Sequence, residues 1–278
     1  MSQTVTVVLC TFNRAHLLSK AIDSVMRQTY AALELIVVDD GSSDNTREVV
    51  KRFGPRIRYI RHECNQGLPA SRNTGIRAAT GAFIAFIDDD DEWVADKLSK
   101  QLKAIGGREA VLCGAIGTNG KRITHRRSTV TVTDLRRGNK FPPSGLLART
   151  TTLREVWFDK DVRQGEDWDA YIRLATRGAI GFIDEPLVVY NNDENVSRMT
   201  NAARNTSIPD LEKRMGVIKK HREFFGPYWF AYHEADTLLS YLRFRQARMM
   251  QVAYTIKRCG IVPVCSVIFG KLKRRLVA

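Results

Sequence analysis

The stretch GAFIAFIDDDDEW, residues Gly81–Trp93, decides the fold class because a continuous apolar run leads directly into four aspartates. An apolar run of this length without polar alternation is typical of a strand that is covered on both faces of a parallel sheet. In such sheets the ligand site lies outside the carboxyl ends of the strands. We therefore expect the four aspartates at the edge of the sheet where a ligand binds.

The same strand pattern recurs upstream, with helical periodicity between the strands. The predicted strands of the first half are Thr4–Cys10, Leu33–Asp39, Ile57–Arg61 and Ala82–Asp88. Helical patterns lie between them at Leu17–Met26 and at Pro69–Ala79. A further helix is predicted to begin after a cap at Ser43 or Asp44 and to end at Arg52. Alternating strands and helices predict an α/β fold with a mostly parallel sheet and helices on both faces.

The second half of the sequence is less regular. Strand patterns cover Ala110–Gly117 and Phe182–Tyr190, and Arg126–Thr133 alternates weakly, as an edge strand would. A helix is predicted over Gly165–Gly178, and helical periodicity resumes from Ser207. A polar stretch precedes that point, so we predict one domain over residues 1–205 and a helical extension over 206–278.

The net charge of the 278 residues is +14, and it is unevenly distributed. Residues 201–278 hold fifteen basic and five acidic side chains, a net of +10, whereas the first 200 residues carry only +4. The composition, 44% hydrophobic and 27% charged, is that of an ordinary globular protein and excludes a disordered, collagen-like or coiled-coil chain. The basic extension predicts an anionic partner, with nucleic acid, phospholipid and phosphorylated glycan all open.

Neither a secretory signal nor a spanning helix is expected. No run approaches the ~20 apolar residues of a membrane span, and the opening MSQTVTVVLCTFNR lacks a basic region followed by an apolar core. The cytoplasm is therefore the default expectation. The five cysteines form no CxxC pair, which argues against a zinc site or a disulfide framework.

Acidic side chains follow two of the predicted strands. DDGSSD (Asp39–Asp44) is a candidate ligand site, but it would also serve as a turn and helix cap. DDDDEW (Asp88–Trp93) suits a hard cation such as Mg²⁺ or Mn²⁺, or else an acidic loop that caps the next helix. A cation held by few protein ligands would leave room for a diphosphate. Neither GxxxxGK[ST] nor GxGxxG occurs, so ATP-driven phosphoryl transfer and dinucleotide redox chemistry lose support.

Four ordered motifs carry a family resemblance. They are TFNR (Thr11–Arg14), VVDDGSSDNT (Val37–Thr46), NQGLPASRNTGIRAATGAFIAFIDDDDEW (Asn65–Trp93) and GEDWDAYIRLA (Gly165–Ala175). In order and spacing they resemble the family 2 inverting glycosyltransferases of GT-A fold, over roughly residues 4–200. The resemblance implies a Rossmann-like GT-A domain that binds a nucleotide-diphosphate sugar.

The resemblance also implies a role for each matching residue. Asp40 would accept from the uracil imide, Asp167 would be the catalytic base, and Glu166 and Trp168 would flank the acceptor sugar. The metal would be held by Asp90, with Asp88 facing the ribose or the metal, and the run of four aspartates leaves Asp89 and Asp91 in reserve. The implied nucleotide-sugar-binding residues are Thr11, Phe12, Asn13, Arg14, Asp40, Arg72, Asp88 and Asp89.

The chemistry of sugar transfer fits those roles. A divalent cation neutralises the leaving diphosphate as a Lewis acid, and a single carboxylate that takes the acceptor proton contributes ~10²–10⁴-fold. One base opposite the leaving group gives one displacement and inversion. At the start of a helix the dipole is expected to keep Asp167 ionised. Read alone, however, Glu166 and Asp167 could be merely first-turn charge.

The sequence departs from its relatives in one respect. Many relatives place a histidine after the last strand, near the metal and diphosphate, but VVYNNDENVSRMT (Val188–Thr200) contains none. Asn192, Asp193 or Ser197 could approach the diphosphate instead. The five histidines of the chain have no metal-ligand spacing, and we expect surface or packing roles for them.

The basic end of the chain permits three interpretations. Basic residues at 257, 258, 271 and 273–275 accompany IVPVCSVIFG (Ile261–Gly270), which is too short to span a bilayer but could lie in its interface. The alternatives are a docking helix with a solvated basic end and direct contact with a phosphorylated acceptor. No nucleic-acid-binding module accompanies the charge, so nucleic acid is not an expected partner.

The sequence as a whole predicts a metal-dependent inverting transferase that uses a nucleotide-sugar donor, expected to be UDP-linked. The acceptor would be a glycan or a lipid-linked sugar in bacterial surface polysaccharide or lipopolysaccharide assembly. The protein would lie peripherally on the cytoplasmic face of the inner membrane. Two alternatives stay open: a sugar-1-phosphate nucleotidyltransferase, which would normally show GxGxR after the first strand, and a non-catalytic binder of nucleotide sugars or anionic lipid.

Overall fold

The computed structural model describes residues 4–162, 164–192, 207–240 and 248–276, and these fall into two compact units. The first unit comprises the described residues of 1–160 and 166–193. The second comprises those of 161–165 and 194–278. The predicted boundary near residue 205 lies outside the described residues.

The first unit is built on one twisted sheet whose long ladders are parallel, which confirms the predicted α/β fold class. The strand order is β3-β2-β1-β4-β9-β6-β10-β5, with β7 beside β6 and β8 beside β10. Among the described residues the strands are β1 Val5–Thr11, β2 Leu33–Asp39, β3 Ile57–Arg61, β4 Phe83–Asp88, β5 Glu92–Trp93, β6 Ala110–Gly117, β7 Arg122–Ile123, β8 Thr129–Val130, β9 Leu147–Arg149 and β10 Ile180–Tyr190.

Helices cover both faces of this sheet. The described helices of the unit are α1 Ala15–Met26, α2 Thr46–Lys51, α3 Leu68–Ala78, α4 Lys97–Ile105, α5 Val132–Arg137, α6 Thr150–Val156 and α7 Glu166–Arg177. Alternate side chains of a strand point to opposite faces, so Val7 and Leu9 of β1 join α1, α2 and α4 in one apolar cluster. Val8 points the other way, towards α3, where a Cβ on Gly75 would lie 2.3 Å from Val8 Cγ1. The glycine therefore allows α3 to approach the sheet closely.

The structure differs from the sequence prediction mainly in its short antiparallel strands. β9 is three residues long and lies antiparallel between β4 and β6, in the middle of the sheet. The expected edge strand at Arg126–Thr133 is reduced to β8, because Thr131 starts a helix instead. Its side chain accepts from the backbone N–H of Asp134, and the Asp134 carboxylate accepts from the Thr131 N–H in return.

The second unit is helical in its described part. Its helices are α8 Ile208–Lys213, α9 Gly216–Lys220, α10 Arg222–Leu238, α11 Arg248–Cys259 and α12 Ile261–Leu276. Gly226, with φ of 66°, kinks α10 just before Pro227. The unit buries a set of apolar side chains that includes Leu211, Met215, Phe225, Leu238 and Val267. Within the described ranges no helix is both long and apolar enough to cross a membrane.

Candidate active site

The ends of the parallel strands bring the acidic motifs to one edge of the sheet. In the register of β1 with its two neighbours, Thr11 lies opposite Asp39 and Cys10 lies opposite Asp88. Asp39 in turn lies opposite Arg61 of β3. The loops that follow these strands therefore leave the sheet side by side, although they are separated by up to 78 residues along the chain.

The first loop is tied to the aspartate run. Thr11 Oγ1 donates to Asp89 Oδ2 at 2.7 Å. The Arg14 guanidinium donates to Asp89 Oδ1 at 2.6 Å and to Asp90 Oδ2 at 2.8 Å. Burial raises the pKa of Asp89 to about 7, although the charge of Arg14 opposes the rise. Asp89 and Asp90 are thus held in an ion cluster with Arg14.

Hydrogen bonds to the loop after β2 fix the backbone conformation of the loop after β1. Asn13 has a φ of 53°, a left-handed conformation that asparagine tolerates better than most residues. Its N–H donates to Ser42 Oγ at 2.9 Å, and its Oδ1 accepts from the Ser43 N–H at 2.7 Å. Phe12 points into solvent with 40% of its surface exposed, so its ring is accessible to a ligand.

Asp40 lies below this loop and is buried among hydrogen-bond donors. It accepts from His62 Nδ1 at 2.7 Å and from the N–H groups of Gln66 and Gly67 at 2.9 and 2.8 Å. A carboxylate offers roughly four acceptor sites, so about one stays available for a nucleotide base. Gly41 makes the turn possible, because its φ is 83° and a Cβ there would lie 2.9 Å from the backbone of Cys64.

His62 is a residue that the sequence reasoning missed. It was expected to have a surface or packing role, but it orients Asp40 and shares its second nitrogen with Thr74 Oγ1 at 2.9 Å. The sequence did carry a signal for it. His62 comes directly after the strand Ile57–Arg61, at the same sheet edge as the acidic motifs.

Arg72 joins the aspartate run to the second acidic motif. Its guanidinium donates to Asp88 Oδ1 at 3.0 Å and to Glu166 Oε1 at 2.6 Å. The side chain is almost fully buried, with 1% of Arg72 exposed, and it lies 5.2 Å from the ring centre of Phe158. The nearby carboxylates raise the pKa of Arg72 although burial opposes the rise. A buried cation shared by two carboxylates fixes the distance between their loops.

Asp167 is the neighbour of this cluster with the properties of a base. Burial, and then the charge of Glu166, raise its pKa to about 7. The helix dipole at the start of α7 was expected to keep the carboxylate ionised, but burial outweighs it. A dipole contributes about 0.3–1 kcal/mol, whereas a shift of one pKa unit corresponds to about 1.4 kcal/mol. A pKa near the working pH is favourable for proton transfer in both directions.

Asn139, which the sequence did not single out, orients the Asp167 carboxylate. Asn139 Nδ2 donates to Asp167 Oδ2 at 2.8 Å, across 28 residues of sequence. The other oxygen, Oδ1, accepts from the N–H of Trp168 at 2.7 Å. The donors together stabilise the charged form of the carboxylate and fix its orientation.

Glu166 and Trp168 already have protein partners at their polar groups. The Glu166 carboxylate is paired with Arg72, and the Trp168 indole N–H donates to the carbonyl oxygen of Leu135 at 2.9 Å. An acceptor sugar would therefore meet the ring of Trp168 rather than its N–H. The acceptor-binding role of both residues stays a prediction.

Ser144, a third residue that the sequence reasoning missed, fixes the position of the aspartate run. Its hydroxyl accepts from the Asp88 N–H at 3.0 Å and donates to Asp91 Oδ2 at 2.6 Å. Asp91 Oδ1 also accepts from the Asn191 N–H at 3.1 Å. Asp91 is therefore a structural residue in this geometry. No sequence signal connects a serine 56 residues downstream to Asp88.

The carboxylates that remain fit a hard cation. Asp88 Oδ1 is paired with Arg72, but its side chain is 27% exposed, and Oδ2 has no hydrogen bond or ion pair within the described part of the chain. Asp90 is paired with Arg14. No cluster of three or more ligating side chains occurs among the described residues. Two carboxylates, with water and a diphosphate as further ligands, are an ordinary donor set for Mg²⁺ or Mn²⁺.

The segment after β10 contains the positions proposed in place of a histidine. Asn192 Oδ1 accepts from Thr118 Oγ1 at 2.7 Å and from the Asn119 N–H at 3.1 Å, so its side chain is held by the turn after β6. Asp193 and Ser197 lie outside the described residues.

Comparison with known proteins gives one family. The sequence profile described as "Glycosyl transferase family 2" matches residues 6–158. Over 99 residues the chain is 46% identical to UDP-Glc:alpha-D-GlcNAc-diphosphoundecaprenol beta-1,3-glucosyltransferase WfgD of Escherichia coli, which covers 35% of the chain and 39% of WfgD. The chain therefore spans 39% of the length of WfgD, and it spans 32% of the length of each of two glycosyltransferases from Rickettsia species.

Solved structures with the same fold include two glycosyltransferases. Staphylococcus aureus TarS, residues 1–349, in complex with UDP-GlcNAc matches 95% of the chain and 83% of that structure, with a TM-score of 0.70 at 16% identity. The mannosyltransferase PcManGT of Pyrobaculum calidifontis, in complex with GDP-Man and Mn²⁺, matches 99% of the chain and 81% of that structure, with a TM-score of 0.64 at 22% identity. At these identities the likeness shows the GT-A fold.

Proposed function

The chain belongs to glycosyl transferase family 2, and from this premise we propose that it transfers a sugar, with inversion, from a UDP-sugar to a lipid-linked glycan. Asp167 is the proposed base, and the loops around Thr11, Asp40 and Arg72 form the proposed donor site. The family match also displaces the two alternatives considered from sequence, the nucleotidyltransferase and the non-catalytic binder.

The observation that carries the proposal is the bridge made by Arg72. It holds Asp88, at the end of β4, and Glu166, beside the proposed base, within one buried ion cluster. The bridge thereby fixes the position of Asp88, which is proposed for the donor side, relative to Asp167, which is proposed to activate the acceptor. Such preorganisation is what a displacement between two bound sugars requires.

In the proposed reaction Asp167 takes the proton of an acceptor hydroxyl. The hydroxyl oxygen forms a bond to the anomeric carbon of the donor sugar, and the bond from that carbon to the diphosphate oxygen breaks. UDP leaves with the bonding electron pair, and Asp167 holds the proton until it is released to solvent. Asn139 keeps the carboxylate turned towards the acceptor, and the pKa of about 7 lets it accept the proton near neutral pH.

Asp88 and Asp90 are the residues proposed to hold a divalent cation. When bound, Mn²⁺ or Mg²⁺ would neutralise charge on the leaving diphosphate. The oxygen ligands of the two aspartates support this assignment, as does the Mn²⁺ of the PcManGT complex. Asp90 would have to exchange its ion pair with Arg14 for the cation.

The donor and acceptor are proposed from the relatives. WfgD uses UDP-Glc and a diphosphoundecaprenol-linked GlcNAc according to its name, and TarS is solved with UDP-GlcNAc. We therefore place this chain in bacterial surface polysaccharide or lipopolysaccharide assembly, peripherally at the cytoplasmic face of the inner membrane. Residues 1–205 would form the catalytic domain, and residues 206–278 would form the helical extension.

A panel of donors tests the proposal. The full chain is incubated with UDP-glucose, UDP-galactose, UDP-GlcNAc or GDP-mannose, Mn²⁺ and a polyprenyl-diphosphate-linked GlcNAc, and the lipid products are resolved by mass spectrometry. We expect transfer from at least one UDP-sugar and no transfer from GDP-mannose. Transfer from GDP-mannose alone would contradict the proposed UDP specificity, and transfer to free sugars but not to the lipid would contradict the proposed acceptor.

A further inference from the structure

The outward face of α12 is apolar, which is unusual for a surface helix. Ile261, Val262, Cys265, Phe269 and Leu272 recur at spacings of one to four residues, and at about 100° per residue they fall within an arc of about 100°. Ile261 and Val262 are each 62% exposed, Phe269 is 69% exposed and Leu272 is 52% exposed. We call these five residues the outer stripe.

The opposite face of α12 is already packed, so the outer stripe is not a core face that has failed to dock. Val264 and Val267 are fully buried within the helical unit. Lys271 lies on this inner face as well, because its Nζ is 3.0 Å from Asp236 Oδ1 and 3.2 Å from the Leu239 carbonyl oxygen. A surface helix normally turns polar side chains outward. Because one face of α12 already packs in the core, the exposed apolar face indicates contact with another apolar environment outside the unit.

The charged residues on α11 and α12 are all basic. No acidic residue follows Asp236, and α11 and α12 together carry seven basic residues. Two of the seven have acidic partners within the unit, because Arg258 is paired with Glu212 and Glu234, and Lys271 is paired with Asp236. Lys273, adjacent to Leu272 in the stripe, is exposed.

We propose that the outer stripe inserts into the headgroup boundary of an anionic lipid bilayer, with α12 lying parallel to the membrane surface. The helix has 16 residues and a length of about 24 Å, so its stripe offers a continuous apolar edge rather than a spanning segment. Basic side chains beside an interfacial apolar face are attracted to anionic headgroups. A second copy of the same face is a poorer occupant, since it would bring two sets of positive charge together.

This inference does not depend on the proposed sugar transfer, and vesicle binding tests it without any substrate. The full chain is sedimented with vesicles of phosphatidylcholine alone or of phosphatidylcholine mixed with phosphatidylglycerol. The double variant Phe269→Ser/Leu272→Ser removes two stripe residues, and Val94→Ser removes an apolar side chain that is 38% exposed in the other unit. All three substituted positions are exposed, so the melting curves of both variants should match that of the wild type.

We expect the wild type to bind the anionic vesicles. The double variant should bind them at least about tenfold more weakly, whereas Val94→Ser should bind like the wild type. Lys273→Glu should also weaken binding, and Lys121→Glu, an exposed charge change in the first unit, should not. Failure of the wild type to bind, or equal binding by the double variant, would overturn the proposal. So would a dimer that forms without vesicles and dissociates in the double variant.

Discussion

Replacing Arg72 with methionine should destabilise the protein severely. Among the described residues, Arg72 alone forms a salt bridge with Asp88 or with Glu166. Methionine fills a similar volume but carries no charge. The substitution therefore leaves two carboxylates without their cation, and one of them, on Glu166, is only 5% exposed.

The magnitude follows from the two distances. At an effective dielectric constant of about 20, charges 2.6 and 3.0 Å apart attract by about 6 kcal/mol each. Most of this offsets the cost of removing three charges from water. In the variant the carboxylates stay buried, but the attraction to Arg72 no longer offsets the cost of their desolvation. Truncating one partner of a buried ion pair costs about 3–5 kcal/mol. That is a large part of the roughly 5–15 kcal/mol by which domains are stable.

Urea unfolding monitored by tryptophan fluorescence, at about pH 8 and about pH 5, measures the loss. Arg72 lowers the pKa of Asp167, so the variant should raise that pKa above about 7. A carboxyl whose pKa is higher in the folded than in the unfolded state stabilises the fold while protonated and loses that contribution as pH rises through the folded pKa. The deficit should therefore be larger at about pH 8 than at about pH 5.

Arg77→Met is the matched control, because Arg77 lies on the same helix but is exposed. It should cost less than about 1 kcal/mol at either pH. A deficit for Arg72→Met as small as that of the control, or one that is larger in acid, would refute the reasoning.

Three further outcomes are expected. The rate of transfer should rise as pH increases through about 7, because burial raises the pKa of Asp167 to about 7 and only the ionised carboxylate accepts a proton. Asn139→Ala should move the midpoint of the pH–rate profile to higher pH, because it removes a hydrogen-bond donor to that carboxylate. Asp90→Ala should lower the affinity for UDP about tenfold or more in Mn²⁺, with little change in EDTA, as measured by titration calorimetry. Gly75→Ala should cost about 1–3 kcal/mol in urea unfolding because its Cβ would overlap a side chain of β1, whereas Gly178→Ala, with no atom within 4 Å, should not destabilise by this mechanism.

Each of these outcomes has a result that would contradict it. A pH–rate midpoint that is identical in the wild type and Asn139→Ala would remove Asn139 from the orientation of the base. Equal UDP affinity of the wild type in Mn²⁺ and in EDTA would remove the cation from donor binding. A Gly75→Ala variant as stable as Gly178→Ala would show that α3 can move away from the sheet without cost.

The parts of the fold that the sequence predicted are those with a strong local pattern. Leu33–Asp39, Ile57–Arg61 and Ala110–Gly117 coincide with the observed strands, because a continuous apolar run between turns has few alternatives to a buried strand. β9 escaped prediction since three residues carry no periodicity, and its strand conformation comes from the two neighbours that flank it. Thr131 and Asp134 ended the edge strand through a capping box that a strand pattern does not reveal.

The candidate site divides in the same way. Arg72, Asp88 and Asp167 lie in motifs, so their residue types and order could be read directly. Asn139 and Ser144 lie in a loop without a motif and reach their partners across 28 and 56 residues. Such contacts depend on how the chain folds back, which a single sequence does not specify. Burial is equally non-local, which explains why the position of Asp167 at the start of a helix did not indicate that burial raises its pKa.

The two faces of α12 illustrate a further limit of the sequence pattern. Its composition suggested either a docking helix or a membrane-binding segment, and the structure shows an inward face that docks and an outward face that is exposed. The pairing of Arg258 and Lys271 within the unit also lowers the charge available to a membrane. Counting basic residues along the sequence could not separate these roles.

The central claim, that Asp167 is the base of an inverting sugar transfer, is tested most directly by comparing Asp167→Asn with the wild type in single-turnover transfer from the UDP-sugar that the donor panel identifies. Asparagine keeps the shape of the side chain but cannot take the acceptor proton. The account predicts a rate at least about 10²-fold lower, with UDP-sugar affinity unchanged in calorimetry on the same preparation. Transfer by Asp167→Asn at close to the wild-type rate would contradict it.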